Sequence, residues 1–166
     1  MTLPTEGDVT LAAAALTRAT HILIGAGAGM SADSGLRTYA DAMHEVPGHC
    51  STSSNLPKLT YHDLCQPTAL FQYPEAFHDF WAGSLRTYRA AAPHDGYQIL
   101  EALCATKAQG ASCVYTSNVD GLFRRFATLR SNLVEIHGCI EEWTCSASTG
   151  YARSGEHGAM ESRGGI

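Results

Sequence analysis

The sequence predicts an α/β fold built on a partial, doubly wound parallel sheet with a helical insert. Three observations predict it: short apolar runs typical of buried parallel strands, helical segments between these runs, and a glycine-rich turn directly after the first run. The chain has 166 residues, of which 45% are hydrophobic and 16% are charged. A chain of this length and apolar content can bury a core, and its composition is unlike that of a disordered protein.

The first part of the chain is predicted to hold one strand between two helices, followed by a loop. Residues 10–19 are rich in Ala and Leu, which are strong helix formers, and Thr10 is placed to cap that helix. The apolar residues 21–24 lead into GAGAG, which predicts a buried strand ending in a tight turn, with a second helix starting near Ser31. Pro, Gly, Ser and Asn are frequent in residues 41–58, which predicts a long loop.

The second part alternates helices and strands. An apolar stripe predicts a core-facing helix over residues 75–91, and another apolar face predicts a helix over 96–108. Apolar runs predict strands at 112–116 and 133–136, with a short helix over 121–128 between them. The stripe of the first of these helices consists of Phe77, Phe80, Trp81, Leu85 and Tyr88.

Charge and cysteine content exclude several classes of protein. Eleven Lys and Arg residues against 16 Asp and Glu residues give a net charge of −5, so we expect no direct contact with nucleic acid. The N-terminus lacks the basic region of a secretory signal, and its Ala-rich run is too short to span a bilayer, so no membrane partner is expected. The six cysteines show no framework spacing and indicate reduced thiols of an intracellular protein, cytoplasmic or nuclear.

The glycine-rich turn is suited to a phosphate-bearing ligand. GAGAGMSADSG follows a strand and opens a helix, where backbone amides can approach a phosphate closely. Gly27, Gly29 and Ala32 satisfy the weak dinucleotide pattern G-x-G-x-x-A, although similar turns also occur for packing reasons alone. Ser34 and Gly35 lie beyond that turn, where a simple dehydrogenase needs no polar pair.

Two further polar segments follow predicted strands, at the edge where doubly wound sheets bind ligands. Asn118 and Asp120 offer an amide and a carboxylate suited to ribose hydroxyls or a carboxamide, although Asn-x-Asp-Gly also forms an ordinary Asx-turn. His137 could act as a general base, although a lone histidine after a strand is more often structural or on the surface. Three such segments at one edge together indicate a binding site.

Three ordered blocks resemble those of the sirtuins, which are NAD-dependent protein deacylases and ADP-ribosyl transferases. GAGMSADSGL resembles GAGxSxxSGI, TSNVDG resembles TQNIDG, and EIHGCIEEWTC resembles E-x-H-G-S…C. The resemblance runs from Ile22 to Cys145 and includes the helical segment between the first two blocks. It implies a Rossmann-like, DHS-type NAD-binding domain over residues 1–145, with a helical insert at about 41–95. Residues 146–166 are rich in Gly and Ser and are expected to form a disordered tail.

The resemblance also implies roles for single residues. His137 would be the general base on the nicotinamide ribose, and Asn118 would belong to the same catalytic centre. In the family, the acyl-lysine oxygen attacks the anomeric carbon as nicotinamide leaves, and the base then activates a ribose hydroxyl so that the acyl group moves to ADP-ribose. The positions that would bind NAD are Gly27, Ala28, Gly29, Ser31, Asp33, Ser34, Gly35, Tyr39, Ser117, Asn118 and Asp120.

The function implied by the resemblance is that of a protein-lysine deacylase with NAD as co-substrate and an acyl-lysine protein or peptide as partner. One alternative is a catalytically weak or inactive fragment that binds NAD or ADP-ribose. Others are an NAD glycohydrolase or an ADP-ribosyltransferase on the same site. A small Rossmann oxidoreductase would leave the polar residues after all three strands unexplained. Acyl preference and oligomeric state have no signal in the sequence.

The sequence departs from the family pattern at several positions. Ala40 stands where the family has an arginine, and it cannot replace a guanidinium. Ser117 stands at the place of a glutamine and Cys139 at the place of a serine. A structural zinc site needs four ligands, typically two C-x-x-C pairs, but only Cys145 matches because Ser148 occupies the place of its mate. We therefore expect no zinc.

Overall fold

Three parallel strands form one sheet in the computed structural model, which describes residues 3–38 and 59–143. They are β1 (Ile22–Ala26), β2 (Ser112–Thr116) and β3 (Leu133–Glu135), in the order β1-β2-β3. Thr116 lies beside Ala26 on one side and beside Glu135 on the other, so the carboxyl ends of the strands meet at one edge. This confirms the predicted α/β fold with a partial Rossmann-like sheet.

Helices precede and connect the strands. One helix lies before β1 and the others lie after it. They are α1 (Glu6–Arg18), α2 (Ala28–Ala32), α3 (Tyr61–Cys65), α4 (Ala69–Gln72), α5 (Pro74–Ala90), α6 (Asp95–Ala105), a 3-10 helix (Leu122–Arg125) and α7 (Ala127–Ser131).

The first helix starts earlier than the sequence predicted because a different residue caps it. The Thr5 side chain accepts a hydrogen bond from the Asp8 backbone amide, and the Asp8 carboxylate accepts one from the Thr5 backbone amide, which forms a capping box. Thr10 lies inside the helix and donates its hydroxyl to the Glu6 carbonyl at 3.0 Å. The prediction that Thr10 caps the helix was therefore wrong.

The predicted helix over 121–128 is divided into two. Gly121 precedes the 3-10 helix with a left-handed backbone (φ +71°), and the Asp120 carboxylate accepts the Leu122 amide at 2.8 Å, which starts the tight turn. Phe126 is extended (φ −115°, ψ 125°) and separates this turn from α7. The second helix likewise starts at Ala28 rather than near Ser31, directly after the glycine turn.

The hydrophobic core lies on one face of the sheet. Its central residue is Tyr97 of α6, whose ring lies 4.8 Å from that of Phe123 and stacks on Phe126 at 5.7 Å. Burying one large apolar side chain such as Phe123 stabilises the fold by about 1.5–3 kcal/mol. The buried cluster consists of Leu36, Tyr97, Cys104, Val114, Leu122, Phe123 and Leu129.

The apolar stripe of α5 is less buried than predicted. All five of its residues, Phe77 to Tyr88, stay half-buried, and Ala76 is the buried residue of this helix. Tyr88 packs against the core cluster, as predicted for a core-facing helix. Trp81 and Tyr88 also line the cavity described below, so this face of the helix meets the cavity as well as the core.

The other face of the sheet is apolar and exposed. Side chains alternate along a strand, so Leu23, Tyr115 and Val134 point away from the core and are 75%, 49% and 42% exposed. Tyr115 pairs directly with Val134 in the parallel register. Within the two described ranges, no helix combines the length and apolar character needed to cross a bilayer. The four described cysteines, Cys65, Cys104, Cys113 and Cys139, are free thiols.

Several sequence predictions concern residues outside those the structure describes. These are the loop over 41–58, Tyr39, Ala40, and the tail over 146–166 together with Cys145. The domain limits of 1–145 and of the insert at about 41–95 likewise stay predictions.

Replacing Gly121 by Ala should destabilise the fold. The left-handed backbone disfavours a side chain, and an added Cβ would lie 3.2 Å from Cys139 Sγ. We expect the free energy of unfolding to fall by about 1–3 kcal/mol, measured by urea denaturation. Gly25→Ala in β1 is the control, since among the described residues its Cβ would meet no atom within 4 Å. Equal losses for the two variants would contradict the prediction.

Candidate functional site

The turn after β1 is fixed by a side chain from the end of β2. Gly27 caps α2, and its carbonyl accepts the Met30 amide at 2.9 Å. The same carbonyl accepts the Asn118 side-chain amide, also at 2.9 Å. The glycine turn and the segment after β2 are therefore joined directly.

Gly35 ends the short helix that follows this turn. Its backbone is left-handed (φ +79°), its amide donates to the Ala32 carbonyl at 2.9 Å, and the Leu36 amide donates to the Ser31 carbonyl at 3.3 Å. This is the pattern of a helix C-terminus that needs glycine. It turns Leu36 into the core. The helix C-terminus therefore accounts for the left-handed conformation of Gly35 without a ligand.

A buried serine joins the two polar residues that follow β2. Ser31 donates its hydroxyl to Asp120 Oδ2 at 2.5 Å and accepts a hydrogen bond from Asn118 Nδ2 at 2.9 Å. Asp120 Oδ1 accepts the Leu122 amide, as described above. Asp120 therefore forms the Asx-turn that the sequence suggested and also belongs to the polar cluster. The local-turn interpretation and the polar-site interpretation of this residue are thus compatible.

The phenol of Tyr97 lies deep beneath this cluster. Burial raises the pKa of Tyr97 to about 12, and the Ser31 hydroxyl near it lowers that pKa only in part. Tyr97 Oη nonetheless has no hydrogen bond of good geometry, and the Ser31 proton is donated to Asp120. The phenol stays protonated under all ordinary conditions.

His94 ties the glycine segment to α6. It caps α6 by accepting the Gly96 amide on Nδ1 at 3.0 Å, and its Nε2 lies 3.0 Å from the Met30 carbonyl, to which a neutral ring donates. Its backbone amide donates to Ser34 Oγ at 3.1 Å. The Ser34 hydroxyl is therefore held in place but keeps its own proton for donation.

His137 lies on a loop that is pinned to the end of β2. The Ile136 amide donates to the Thr116 carbonyl at 3.0 Å, and the Ile140 amide donates to the Val119 carbonyl at 2.9 Å. Gly138 allows the turn between these bonds through its left-handed backbone (φ +75°). The imidazole of His137 is exposed and makes no hydrogen bond within the described residues.

Two arginines hold the same loop from other elements. Arg124 of the 3-10 helix pairs with Glu135 and Glu142, and Arg89 of α5 forms a two-pronged pair with Glu141. The Arg89 guanidinium holds the pKa of Glu141 below its ordinary value, and Arg124 does the same for the pKa of Glu142. The loop that carries His137 is thus paired with Arg124, whose partner Glu135 is buried, and with Arg89 through a pair that is exposed on both sides.

These segments surround a cavity of about 680 Å³ at the carboxyl edge of the sheet. Part of the lining is polar, formed by Ser31, Ser117, Asn118 and Asp120, and is called the polar wall below. Another part, formed by Tyr61, Trp81 and Tyr88, is called the aromatic wall. Burial and the nearby Asp120 carboxylate raise the pKa of the Tyr88 phenol, and burial raises the pKa of the Cys65 thiol, so both keep their protons near neutral pH. The cavity has the size and mixed lining of a small-molecule site.

The cavity contains about half of the site residues predicted from the sequence. Those that line it are Ala28, Ser31, Ser117, Asn118, Asp120 and His137. Those that do not line it are Gly27, Gly29, Asp33, Ser34 and Gly35. Tyr39 lies outside the described residues.

Sequence reasoning missed the residues that form the rest of the lining, namely Leu36, Arg37, Tyr61, Cys65, Trp81, Tyr88 and Val119. A signal was present for two of them: Trp81 and Tyr88 are seven residues apart on one helix, so they share a face. Their sequence pattern is the same as that of a core stripe, and only the fold shows which part of the stripe meets a cavity.

The internal hydrogen bonds of Asn118 and Asp120 determine which of their atoms can still bind a ligand. Both hydrogens of the Asn118 amide are donated within the protein, so its carbonyl oxygen is the atom left to accept from a ligand. Each Asp120 oxygen accepts one internal hydrogen bond and keeps a further lone pair. The wall therefore suits a ligand that donates hydrogen bonds, such as a sugar hydroxyl or a primary carboxamide.

A sequence profile of the Sir2 family matches residues 27–162. The chain belongs to the Sir2 family. It is 35% identical over 133 residues to an NAD-dependent protein deacylase of Deinococcus radiodurans, an alignment that covers 79% of this chain and 50% of the relative. The resemblance to sirtuins is thereby confirmed.

Solved structures show the same fold. A sirtuin studied for its substrate affinity gives a TM-score of 0.61 at 20% identity, covering 87% of this chain and 52% of the other. A Sir2 complex with a p53 peptide and NAD⁺ gives a TM-score of 0.57 at 20% identity, covering 87% of this chain and 50% of the other. The chain spans about half the length of the curated relatives that it matches.

No cluster of metal ligands is formed by the residues described for this Sir2-family chain. Within ranges 3–38 and 59–143, no three His, Cys, Asp or Glu side chains converge. Cys145, the one position that matches the zinc pattern of the family, lies beyond them. The expected lack of zinc stays a prediction from the sequence.

Replacing Ser31 by Ala should loosen the cluster beneath the cavity. The variant loses one charge-assisted hydrogen bond and leaves a buried Asp120 oxygen with one partner fewer. We expect the free energy of unfolding to fall by about 1–3 kcal/mol, measured by urea denaturation. The exposed Ser117→Ala variant at the same cavity is the control and should stay within about 0.5 kcal/mol. A stable Ser31→Ala variant would show that the cluster does not support the fold.

The ion pairs of the His137 loop predict a loss of stability in acid. The pKa values of Glu141 and Glu142 are lowered in the folded chain, so their contribution is present above the ordinary glutamate pKa of about 4.3 and is lost as the pH falls through the lowered values. The double variant Glu141→Gln/Glu142→Gln should therefore show a shallower fall in Tm between about pH 5 and pH 3. If Tm falls with pH as steeply in the double variant as in the wild type, these two ion pairs are not the source of the acid sensitivity.

Proposed function

We propose that this chain binds NAD in the cavity and uses it as a co-substrate to remove acyl groups from lysine side chains of a protein or peptide. In this reaction the acyl group passes to ADP-ribose and nicotinamide is released. The observation that carries the proposal is the meeting of Ser31, Asn118, Asp120 and His137 around one cavity at the carboxyl edge of a parallel sheet. The Deinococcus relative is named an NAD-dependent protein deacylase, and one solved neighbour holds a p53 peptide and NAD⁺.

The polar wall fits the nicotinamide half of NAD. This half carries a primary carboxamide and ribose hydroxyls, all of which donate hydrogen bonds. Asn118 Oδ1 and the spare lone pairs of Asp120 are the matching acceptors. Ser117 lies next to them in the lining.

The glycine turn fits the phosphate half. A Cβ added at Gly29 would meet no atom of the described residues within 4 Å, so they leave the space above this backbone open to a ligand. We assign Gly27, Ala28 and Gly29 to close backbone approach and the free proton of Ser34 to a phosphate oxygen or ribose. Asp33, Gly35 and Tyr39 complete the proposed binding set, with Gly35 acting through the turn that it forms.

His137 is proposed as the general base. Its imidazole lines the cavity, is exposed, and has no internal hydrogen bond within the described residues that would occupy its nitrogens. Bound NAD supplies the ribosyl carbon and the nicotinamide leaving group. His137 accepts a proton from a ribose hydroxyl, and Asn118 and Asp120 orient that ribose.

The acyl-lysine side chain is proposed to enter between the polar wall and the aromatic wall. Water at the same place would give NAD glycohydrolase activity, and another nucleophile would give ADP-ribosyl transfer. An intracellular location stays a prediction from the cysteine pattern.

The decisive test is nicotinamide release from NAD, followed by chromatography, with an acetyl-lysine peptide present. We expect release by the wild-type chain and a fall of about 10²-fold or more in His137→Ala, because proton abstraction typically contributes that much. His78→Ala is the control, since His78 is exposed on α5 and does not line the cavity.

A melting curve with and without NAD separates binding from turnover. A ligand at 100 times its Kd should stabilise the chain by about 2.7 kcal/mol. Stabilisation without release would favour the NAD- or ADP-ribose-binding module, and release without peptide would favour the glycohydrolase. If NAD neither stabilises the chain nor releases nicotinamide, the proposal is overturned.

A further inference from the structure

Arg124 connects the two ends of the His137 loop. From the 3-10 helix after β2, its Nε donates to Glu135 Oε2 at 2.7 Å, and a second nitrogen donates to the same oxygen. Its remaining nitrogen donates to Glu142 Oε1. Glu135 lies two residues before His137 and Glu142 lies five residues after it, so one guanidinium spans the loop.

The three partners differ in their exposure. The Glu135 side chain is 7% exposed, that of Arg124 is 31% exposed, and that of Glu142 is 66% exposed. A carboxylate as buried as Glu135 depends on a charged partner, because an unpaired charge away from water is costly. The pairing with Arg124 is therefore a fixed part of the fold, whereas the pairing with Glu142 lies at the surface.

Arg124 is also linked to the polar wall of the cavity. Its helix begins at the Leu122 amide, which donates to Asp120 Oδ1, and Asp120 accepts from Ser31. A short, continuous set of hydrogen bonds thus leads from Ser31 through Asp120 to the helix of Arg124. Through Glu135 and Glu142 it reaches the loop of His137.

We infer that Arg124 is a positioning residue that holds His137 at a fixed place relative to Asp120 and Asn118. This inference rests on the proposed function, since it concerns the geometry of the proposed base. Arg124 touches neither the cavity nor any reacting atom, and it acts through Glu135 and Glu142. Lysine, with a single ammonium group, could reach one of the two carboxylates but not span both.

Hydrogen exchange of the loop amides tests the inference without any need for turnover. In Arg124→Gln we expect the exchange of the Gly138, Ile140 and Glu142 amides to rise by about tenfold or more, because a charge-assisted attachment is lost. The amides of β1 should keep their protection. Arg124→Lys should fall between the wild type and Arg124→Gln.

Arg89→Gln is the matched control, since it removes an exposed arginine pair from the same loop. Its loop amides should exchange within about twofold of the wild-type rate. Glu135→Gln serves if Arg124→Gln does not fold, and it should raise exchange of the Gly138 amide because it neutralises the buried partner of Arg124. Unchanged loop exchange in Arg124→Lys and Glu135→Gln, or an equal effect in Arg89→Gln, would overturn the inference.

Turnover per folded enzyme, with kcat and KM for NAD measured separately, gives a second readout. We expect Arg124→Gln to lower kcat for nicotinamide release by about 10²-fold, as a displaced base would, while KM for NAD changes little because the glycine turn is untouched. A rise in KM with kcat unchanged would overturn the positioning role. Wild-type chain that releases no nicotinamide would refute the proposed function alone, and hydrogen exchange would still decide the role of Arg124.

Discussion

The hydroxyl of Ser31 is the contact on which the rest of the site depends. It is the point where the glycine turn of β1 and the polar residues of β2 meet, since it bonds both Asn118 and Asp120. A buried hydroxyl that accepts from an amide and donates to a carboxylate has its single proton committed, so each neighbour is held in one orientation. The parallel register brings the strand ends together, and this cluster converts that proximity into a defined arrangement.

The third strand reaches the site by a different physical means. His137 has no hydrogen bond of its own within the described residues, and its place is set by two backbone hydrogen bonds and by carboxylates on either side of it. The proposed base is therefore held by its loop rather than by its side chain, which leaves the imidazole open to a ligand. The groups that support it are fixed, and the imidazole proposed to react is free of internal hydrogen bonds within the described residues.

The sequence was informative wherever a pattern reflects local chemistry. Apolar runs identified β1, β2 and β3, and the residues at their carboxyl ends identified the polar wall. The aromatic wall could not be predicted, because a core stripe and a cavity stripe share one helical period. The donor and acceptor roles of Asn118 were also hidden, since they depend on Gly27 and Ser31, which are distant in sequence. Thr10 shows that residue type alone was also insufficient at a helix start. Thr10 is a good capping residue, but Thr5 caps the helix because Asp8 completes its capping box.

The carboxylate of Asp120 also sets the direction in which protons point throughout the cluster. One oxygen faces a backbone amide that can only donate, and the other faces a hydroxyl that could reverse. In an Asp120→Asn variant, the side-chain oxygen would have to face the Leu122 amide and the side-chain nitrogen would have to face Ser31. The Ser31 hydroxyl would then have to donate its proton to another group. The nearby phenol oxygen of Tyr97, unpaired in the present arrangement, is the group left to receive it. A single negative charge thus fixes the polarity of the whole chain of hydrogen bonds from the core to the cavity.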